Sequence, residues 1–278
     1  MSNETLHRLS AFAEQAGGGN PAGVWVGDTL PDAATMRRIA AEVGYSETAF
    51  VAPARGRERT IRYFSPEAEV SFCGHATIAT GIVLGEAEGA GRYRLLTAVG
   101  EVSVAVTEEG GRLRAALTSV LPRFERPSAE LLAGALELLG WRSDELDRTI
   151  RPARAWAGAW HLVLAARERT RLDTLDYDFD ALKALMLDHD LTTLQLIWRE
   201  SATAFHARDP FPVGGVVEDP ATGAAAAAFG GYLREARLVE APTRFTIRQG
   251  EAMGRPSVLV VDVPAEGGIV VSGGAVPI

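Results

Sequence analysis

Short runs of alternating apolar and polar residues fill most of the chain, and stretches of helical periodicity interrupt them, with Gly or Pro at most junctions. Residues 6–13 and 22–28 read as strands on either side of Gly-Gly-Gly-Asn-Pro, where Pro21 bars a helix from opening. Beyond Pro31, the apolar residues Met36, Ile39, Ala40 and Val43 fall on one helical face, and Gly44 is the natural stop. Residues 46–52, 59–66 and 69–76 read as strands, and 93–109 as a hairpin about a Gly turn. The second half follows a similar plan. Ser128 caps a helix through Leu139 that Gly140 ends, 149–167 is strand-like and 176–188 is a helix. Further strands follow at 193–201, 203–209, 244–250, 257–264 and 267–278.

Two helical stretches differ from the others. His75–Leu84 and Thr222–Leu233 carry no charge on any face, so each must be buried on all sides. Their small residues allow close backbone approach, as a helix inside a rolled sheet requires. Their starts lie about half a chain length apart. The expected fold class is therefore α+β: two pseudo-symmetric lobes, each a rolled, mostly antiparallel β-sheet around a central buried helix. The boundary falls near residue 118, giving lobes 1–118 and 119–265, with the end of the chain from about 266 returning to the first. Residue identity between the halves is negligible, so this is a likeness of architecture and not a sequence repeat.

Composition narrows the chemistry. With 278 residues, 47% hydrophobic and 23% charged, the chain has the balance of a globular protein of about two ordinary domains. A net charge of −8 argues against nucleic acid or an anionic membrane as the main partner. No run reaches the roughly 18 apolar residues of a membrane span, and the N-terminal residues lack a signal-peptide pattern. The expected location is the cytoplasm. A single cysteine, Cys73, excludes an internal disulfide and a two-thiol racemase. The single lysine, Lys183, lies in a helical pattern with no phosphate-binding loop before it, which leaves it on a solvated face. Motifs for zinc proteases and serine hydrolases are absent, and the histidines at 7, 75, 161, 189 and 206 are scattered.

Both apolar helices begin at chemically capable residues: Cys-Gly-His before the first, Glu-Asp-Pro-Ala-Thr-Gly before the second. A helix start carries unpaired N–H groups and partial positive charge, so two of them favour a small carboxylate as ligand. Gly74 and Gly223 would let backbone approach it closely. Each residue also has a plainer reading: Asp219 as a helix N-cap, His75 as a ring cap, Cys73 as a small buried apolar group, and Glu47 as a surface charge.

The motifs resemble those of the PhzF-like phenazine-biosynthesis proteins, relatives of diaminopimelate epimerase and proline racemase. The pieces that carry the likeness are Phe12 with Gly-Asn-Pro-Ala-Gly (19–23), Tyr-Ser-Glu-Thr-Ala-Phe-Val (45–51) and Arg-Tyr-Phe-Ser-Pro-Glu-Ala-Glu-Val (62–70). Phe-Cys-Gly-His-Ala-Thr (72–77), Glu-Asp-Pro-Ala-Thr-Gly (218–223), Arg-Gln-Gly (248–250) and Met-Gly-Arg-Pro-Ser (253–257) complete it, in order along nearly the whole chain. The resemblance implies a homodimer that needs no cofactor or metal. It implies Glu47 as the acid/base, assisted by His75 and Asp219, with Asn20, Cys73, Gly74, Thr222, Gly223 and Ala224 around the substrate. Two departures follow. Pro220 stands where epimerase relatives carry their second thiol, and Ala224 replaces a common serine.

Together these readings predict an isomerase that moves a proton within a small carboxylate, using Glu47 as shuttle. The alternatives are an amino-acid epimerase or racemase pairing Cys73 with a non-thiol base such as Asp219, and an inactive carboxylate-binding member of the family.

Overall fold

The computed structural model describes residues 4–278. The first three residues of the expected N-terminal lobe thus lie outside the described residues. In chain order the structure forms β1 (Thr5–Ala11), β2 (Asn20–Val26), α1 (Ala33–Val43), β3 (Glu47–Pro53), β4 (Glu58–Phe64), β5 (Glu69–Val70) and α2 (Gly74–Glu88). It continues with β6 (Gly91–Thr97), β7 (Gly100–Glu109), β8 (Arg112–Thr118), β9 (Arg123–Glu125), α3 (Ala129–Leu138), β10 (Ala153–Trp156) and β11 (Trp160–Ala166). Then come α4 (Thr170–Asp173), α5 (Phe179–Asp188), β12 (Thr193–Arg199), β13 (Ala204–Pro210) and β14 (Glu218–Asp219). The last elements are α6 (Gly223–Glu235), β15 (Thr243–Gln249), β16 (Ser257–Val263), β17 (Val270–Gly273) and β18 (Ala275–Pro277). The class is α+β with most of the regular structure in strands, and the chain divides into two compact units. One runs to Thr118 and takes in Ser272–Ile278; the other is Ser119–Val271.

In the first unit, β1 pairs antiparallel with β18 and with β2, where Leu9 faces Pro277 on one side and Ala22 on the other. The ladder continues through a parallel β2–β3 step, an antiparallel β3–β4 step and a parallel β4–β6 step. Antiparallel β6–β7 and β7–β8 pairs complete it. Alternation decides which face is buried: Tyr93 and Leu95 of β6 point inward while Arg92 and Arg94 point out. α2 packs against β1, β2, β3 and β18 near one end of this ladder and against β7 and β8 at the other. The sheet therefore curves round the helix, whose residues Ala76–Gly85 are all buried.

Glycine sets how close that helix comes. A Cβ on Gly81 would lie 2.7 Å from Val104 Cγ1 and 2.8 Å from Ala115 Cβ, and one on Gly85 2.7 Å from Val106 Cγ1. The second unit repeats the connectivity: β10–β11 antiparallel, β11–β12 parallel, β12–β13 antiparallel, β13–β15 parallel and β15–β16 antiparallel. There α6 packs against β9, β10, β11 and β16. A Cβ on Gly230 would meet Ile269 and Val261 at 3.0 Å, and one on Gly231 would meet Pro122 at 2.2 Å. The short strands β5 and β14 pair antiparallel with β4 and β13, and each leads into the buried helix of its unit.

The remaining helices have conventional starts and stops. Asp32, Ser128 and Asp178 cap α1, α3 and α5 through their side chains, and Gly44 closes α1 with φ at 73°. The expected strand over 69–76 is a correction: only Glu69 and Val70 pair, Phe72 is exposed, and Gly74 already begins α2. The apolar helices also run further than their charge-free cores. α2 ends with Glu86 and Glu88, and α6 with Arg234 and Glu235.

Gly81→Val is expected to destabilise the protein by roughly 1–3 kcal/mol, the usual cost of overpacking a close contact. Urea unfolding measures this, and an unchanged midpoint would show that α2 does not sit against Val104 and Ala115.

Candidate active site

The first unit gathers three chemically active side chains. Glu47 opens β3, where parallel pairing places it beside Ala22 of β2. Cys73 is the N-cap residue of α2 in extended conformation, with φ −141° and ψ 116°, and His75 lies in the first turn. Their atoms converge. Cys73 Sγ lies 3.6 Å from Glu47 Oε2 and 3.4 Å from His75 Nδ1. His75 Nε2 is 3.4 Å from Glu47 Oε2 and 3.5 Å from Ser46 Oγ. The His75 and Glu47 side chains are 10% and 22% exposed, so both are largely shielded from solvent. Glu47 is thus no ordinary surface charge.

Local bonding fixes this start of α2. The Cys73 carbonyl accepts from the Thr77 amide at 3.1 Å and from the Thr77 hydroxyl at 2.6 Å. That hydroxyl also meets Tyr63 Oη at 2.6 Å. Burial raises the Tyr63 pKa, keeping the phenol neutral. No side chain of the N-cap residue closes α2, and its first turn holds no acidic residue. A Cβ on Gly74 would meet no neighbouring atom within 4 Å, so the backbone there is open to approach. Asn20 begins β2 and is 3% exposed. By strand alternation and the Ala22–Glu47 register, its side chain shares a sheet face with Glu47.

The second unit builds a different cluster at the start of α6. Thr222 is the N-cap residue, and Asp219 sits three residues earlier in β14. The N-cap reading of Asp219 is therefore corrected. It accepts a 2.6 Å hydrogen bond from Thr222 Oγ1, so the threonine hydroxyl is engaged away from the helix amides. Gln249 ties the turn together: its Oε1 accepts from the Thr222 amide at 3.1 Å. Its Nε2 donates to the Asp219 carbonyl at 2.7 Å and to Thr222 Oγ1 at 2.9 Å. Gly250, with φ at 73°, lets the chain pass the Pro220 carbonyl, which a Cβ would approach to 2.7 Å. Gly223 and the exposed Ala224 begin the helix, with no acidic residue in its first turn. Gln249 and Gly250 were legible only as part of the Arg-Gln-Gly motif.

Asp209 of β13 was not foreseen. It is directly opposite Asp219 across the β13–β14 pair and is fully buried, and neither of its oxygens has a hydrogen bond of ordinary geometry. Burial raises its pKa well above the usual carboxylate range, and the charges of Asp219 and Glu218 push the same way; Thr222 and Thr193 only offset this in part. Glu218 has its own counter-ion, with Arg208 donating to both its oxygens at 3.0 and 2.6 Å. Nearby His161, bonded to Thr193 Oγ1 at 2.8 Å, is pushed down to about 3 by burial and stays neutral. Asp209 is therefore harder to ionise than an ordinary aspartate.

Comparison with known proteins agrees with these motifs. The family model described as phenazine biosynthesis-like protein matches residues 9–278. Curated relatives carry isomerase names. One of them, trans-2,3-dihydro-3-hydroxyanthranilate isomerase of Pseudomonas aeruginosa, is 31% identical over 262 residues, covering 91% of this chain and 88% of its own. Among solved structures, a PhzF-family phenazine biosynthesis protein of Bacillus anthracis superposes with a TM-score of 0.84 at 21% identity, covering 100% and 97% of the two chains. A probable proline racemase of Agrobacterium radiobacter shares the fold at a TM-score of 0.65 and 14% identity, covering 99% and 91%. The fold and its relatives define an isomerase with the architecture common to PhzF proteins and proline racemases. The chain belongs to the phenazine biosynthesis-like family. Among the described residues, no helix is long and apolar enough to cross a membrane.

The buried acid has a measurable consequence for stability. With its folded pKa above the unfolded value of about 3.9, Asp209 binds its proton more tightly in the folded state. Its contribution is complete below that unfolded value and is lost as pH rises toward the folded pKa. Wild type should therefore lose stability relative to Asp209→Asn from about pH 4 upward, by at most about 1.4 kcal/mol per pH unit. Urea unfolding of both proteins across pH tests this, and parallel curves would show that Asp209 is ionised.

Proposed function

We propose that the protein is a cofactor-independent isomerase that shifts a proton between two carbons of a small carboxylate, with Glu47 as the shuttle. The observation that carries this reading is the meeting of Glu47, Cys73 and His75 at a helix start that no N-cap side chain closes. A carboxylate in this position can take a proton from one carbon. The electron pair left behind delocalises through the substrate toward its own carboxylate, and the same carboxyl group then delivers a proton, partly exchanged with water, to a second carbon. Positive partial charge at the start of α2 favours the anion at each stage. His75, within reach of Glu47, orients the carboxylate and balances its change of charge. One acid working on one face fits the placing of Pro220 where epimerases carry a second thiol.

Asp219, Thr222 and Gln249 are assigned binding and orienting roles toward a carboxylate. Thr222 is held by Asp219, so the α6 amides near Gly223 and Ala224 are offered to an anion instead of to a cap. The compound named for the Pseudomonas relative is a carboxylate, and it is the first to try as substrate.

A second reading rests on the thiol. Cys73 Sγ touches both Glu47 and His75, so it is placed to act as a base itself, as in an epimerase whose other base is not a thiol. Inversion of an amino acid, with a large rate loss in Cys73→Ser, would favour it.

Glu47→Gln should lower solvent-deuterium incorporation into the isomerised carboxylate by about 10²–10⁴-fold, the usual contribution of a positioned acid/base. Mass spectrometry of the product reads this directly. Full-rate exchange in the Gln variant would remove Glu47 from the role, and tight carboxylate binding with no exchange in wild type would leave a binding protein.

A further inference from the structure

We propose that Glu47, Cys73 and His75 form a binding site for a tetrahedral thiophilic divalent cation, zinc in the first instance, whose occupancy blocks the proton shuttle. The three residues offer one carboxylate oxygen, one sulfur and one imidazole nitrogen, all within 4.8 Å of one another. This is a mixed oxygen, nitrogen and sulfur set that zinc accepts.

The spacing fits the ion. Zinc bonds of about 2.0–2.3 Å arranged tetrahedrally require donor-to-donor edges of roughly 3.3–3.7 Å. The structure gives 3.6 Å from Cys73 Sγ to Glu47 Oε2, 3.8 Å from Cys73 Sγ to His75 Nε2, and 3.4 Å from His75 Nε2 to Glu47 Oε2. These edges fall in or just beyond that range, so a tetrahedral ion seated off the plane of the triangle can reach all three donors. The donors are already held: Cys73 is the N-cap of α2, His75 lies two residues on in its first turn, and Glu47 is placed by the β2–β3 pairing.

Charge balance favours the same assignment. A lone cation would be repelled by the positive end of α2. A thiolate and a carboxylate neutralise a divalent ion, so the filled site carries no net charge toward the helix. Binding displaces the thiol proton to solvent, so affinity should rise with pH. Three protein donors leave a fourth position for water or a carboxylate.

The blocking effect rests on the proposed shuttle role of Glu47, whereas metal binding does not. A metal-bound Glu47 has one oxygen committed and its negative charge drawn to the ion, so the carboxylate is too weak a base to take a carbon-bound proton. Cobalt(II) gives the test, because tetrahedral cobalt–thiolate sites absorb strongly in the visible and near ultraviolet. Titration of the metal-free protein should produce these bands with one cobalt per chain, and one equivalent of zinc should abolish them. Cys73→Ser should remove the thiolate-to-cobalt band, and Glu47→Gln should weaken zinc affinity at least tenfold. Absence of the bands in wild type, or their survival in Cys73→Ser, overturns the site. One equivalent of zinc should also suppress deuterium exchange. If cobalt binds through Cys73 yet zinc leaves exchange at full rate, the blocking role alone is overturned; the shuttle stands or falls with exchange in Glu47→Gln.

Discussion

A helix buried along its length can meet solvent and ligand only at its ends. That constraint organises both units of this protein. α2 and α6 give up their flanks to close packing, through Gly81 and Gly85 in one and Gly230 and Gly231 in the other. What remains accessible is the start of each helix, where the backbone carries N–H groups and partial positive charge. In α1, α3 and α5 those groups meet a capping side chain. In α2 and α6 the N-cap side chain does not close the start, since Cys73 turns toward Glu47 and His75 while Thr222 turns toward Asp219. The same packing that makes these helices apolar thus leaves their starts available for chemistry.

The two starts are equipped differently although the strands around them connect in the same order. Around Cys73 the groups are proton carriers: a carboxylate, an imidazole and a thiol. Around Thr222 the groups hold geometry, with Gln249 bonded to three atoms of the turn and Gly250 giving Pro220 room. Asp209 adds a second carboxyl opposite Asp219, and its burial beside that charge disfavours its ionisation.

Much of this was legible in the residues. The charge-free stretches 75–84 and 222–233 announced two buried helices, and the apolar face Met36–Ile39–Ala40–Val43 with Gly44 marked α1. Ordered motifs from Phe12 to Ser257 identified the family. The misreading at 69–76 has a physical source: Val70 and Phe72 alternate as in a strand, yet Phe72 is exposed and the pairing stops at Val70. Alternation reports a half-buried surface only when the sheet is there to bury it. Asp209 was invisible for a related reason. Arg-Asp-Pro at the end of a strand looks like a solvated turn, and only the β13–β14 pairing buries the carboxyl. Gln249 likewise gains its partners from a turn some thirty residues away in sequence, which periodicity cannot report.

The central claim is that one carboxylate both removes and returns the proton. Substrate deuterated at the donor carbon tests it. In a single turnover in ordinary water, part of the deuterium should appear at the acceptor carbon of the product, on the face from which it left. Complete loss of the label to water, with hydrogen delivered to the opposite face, would contradict a single shuttle at Glu47.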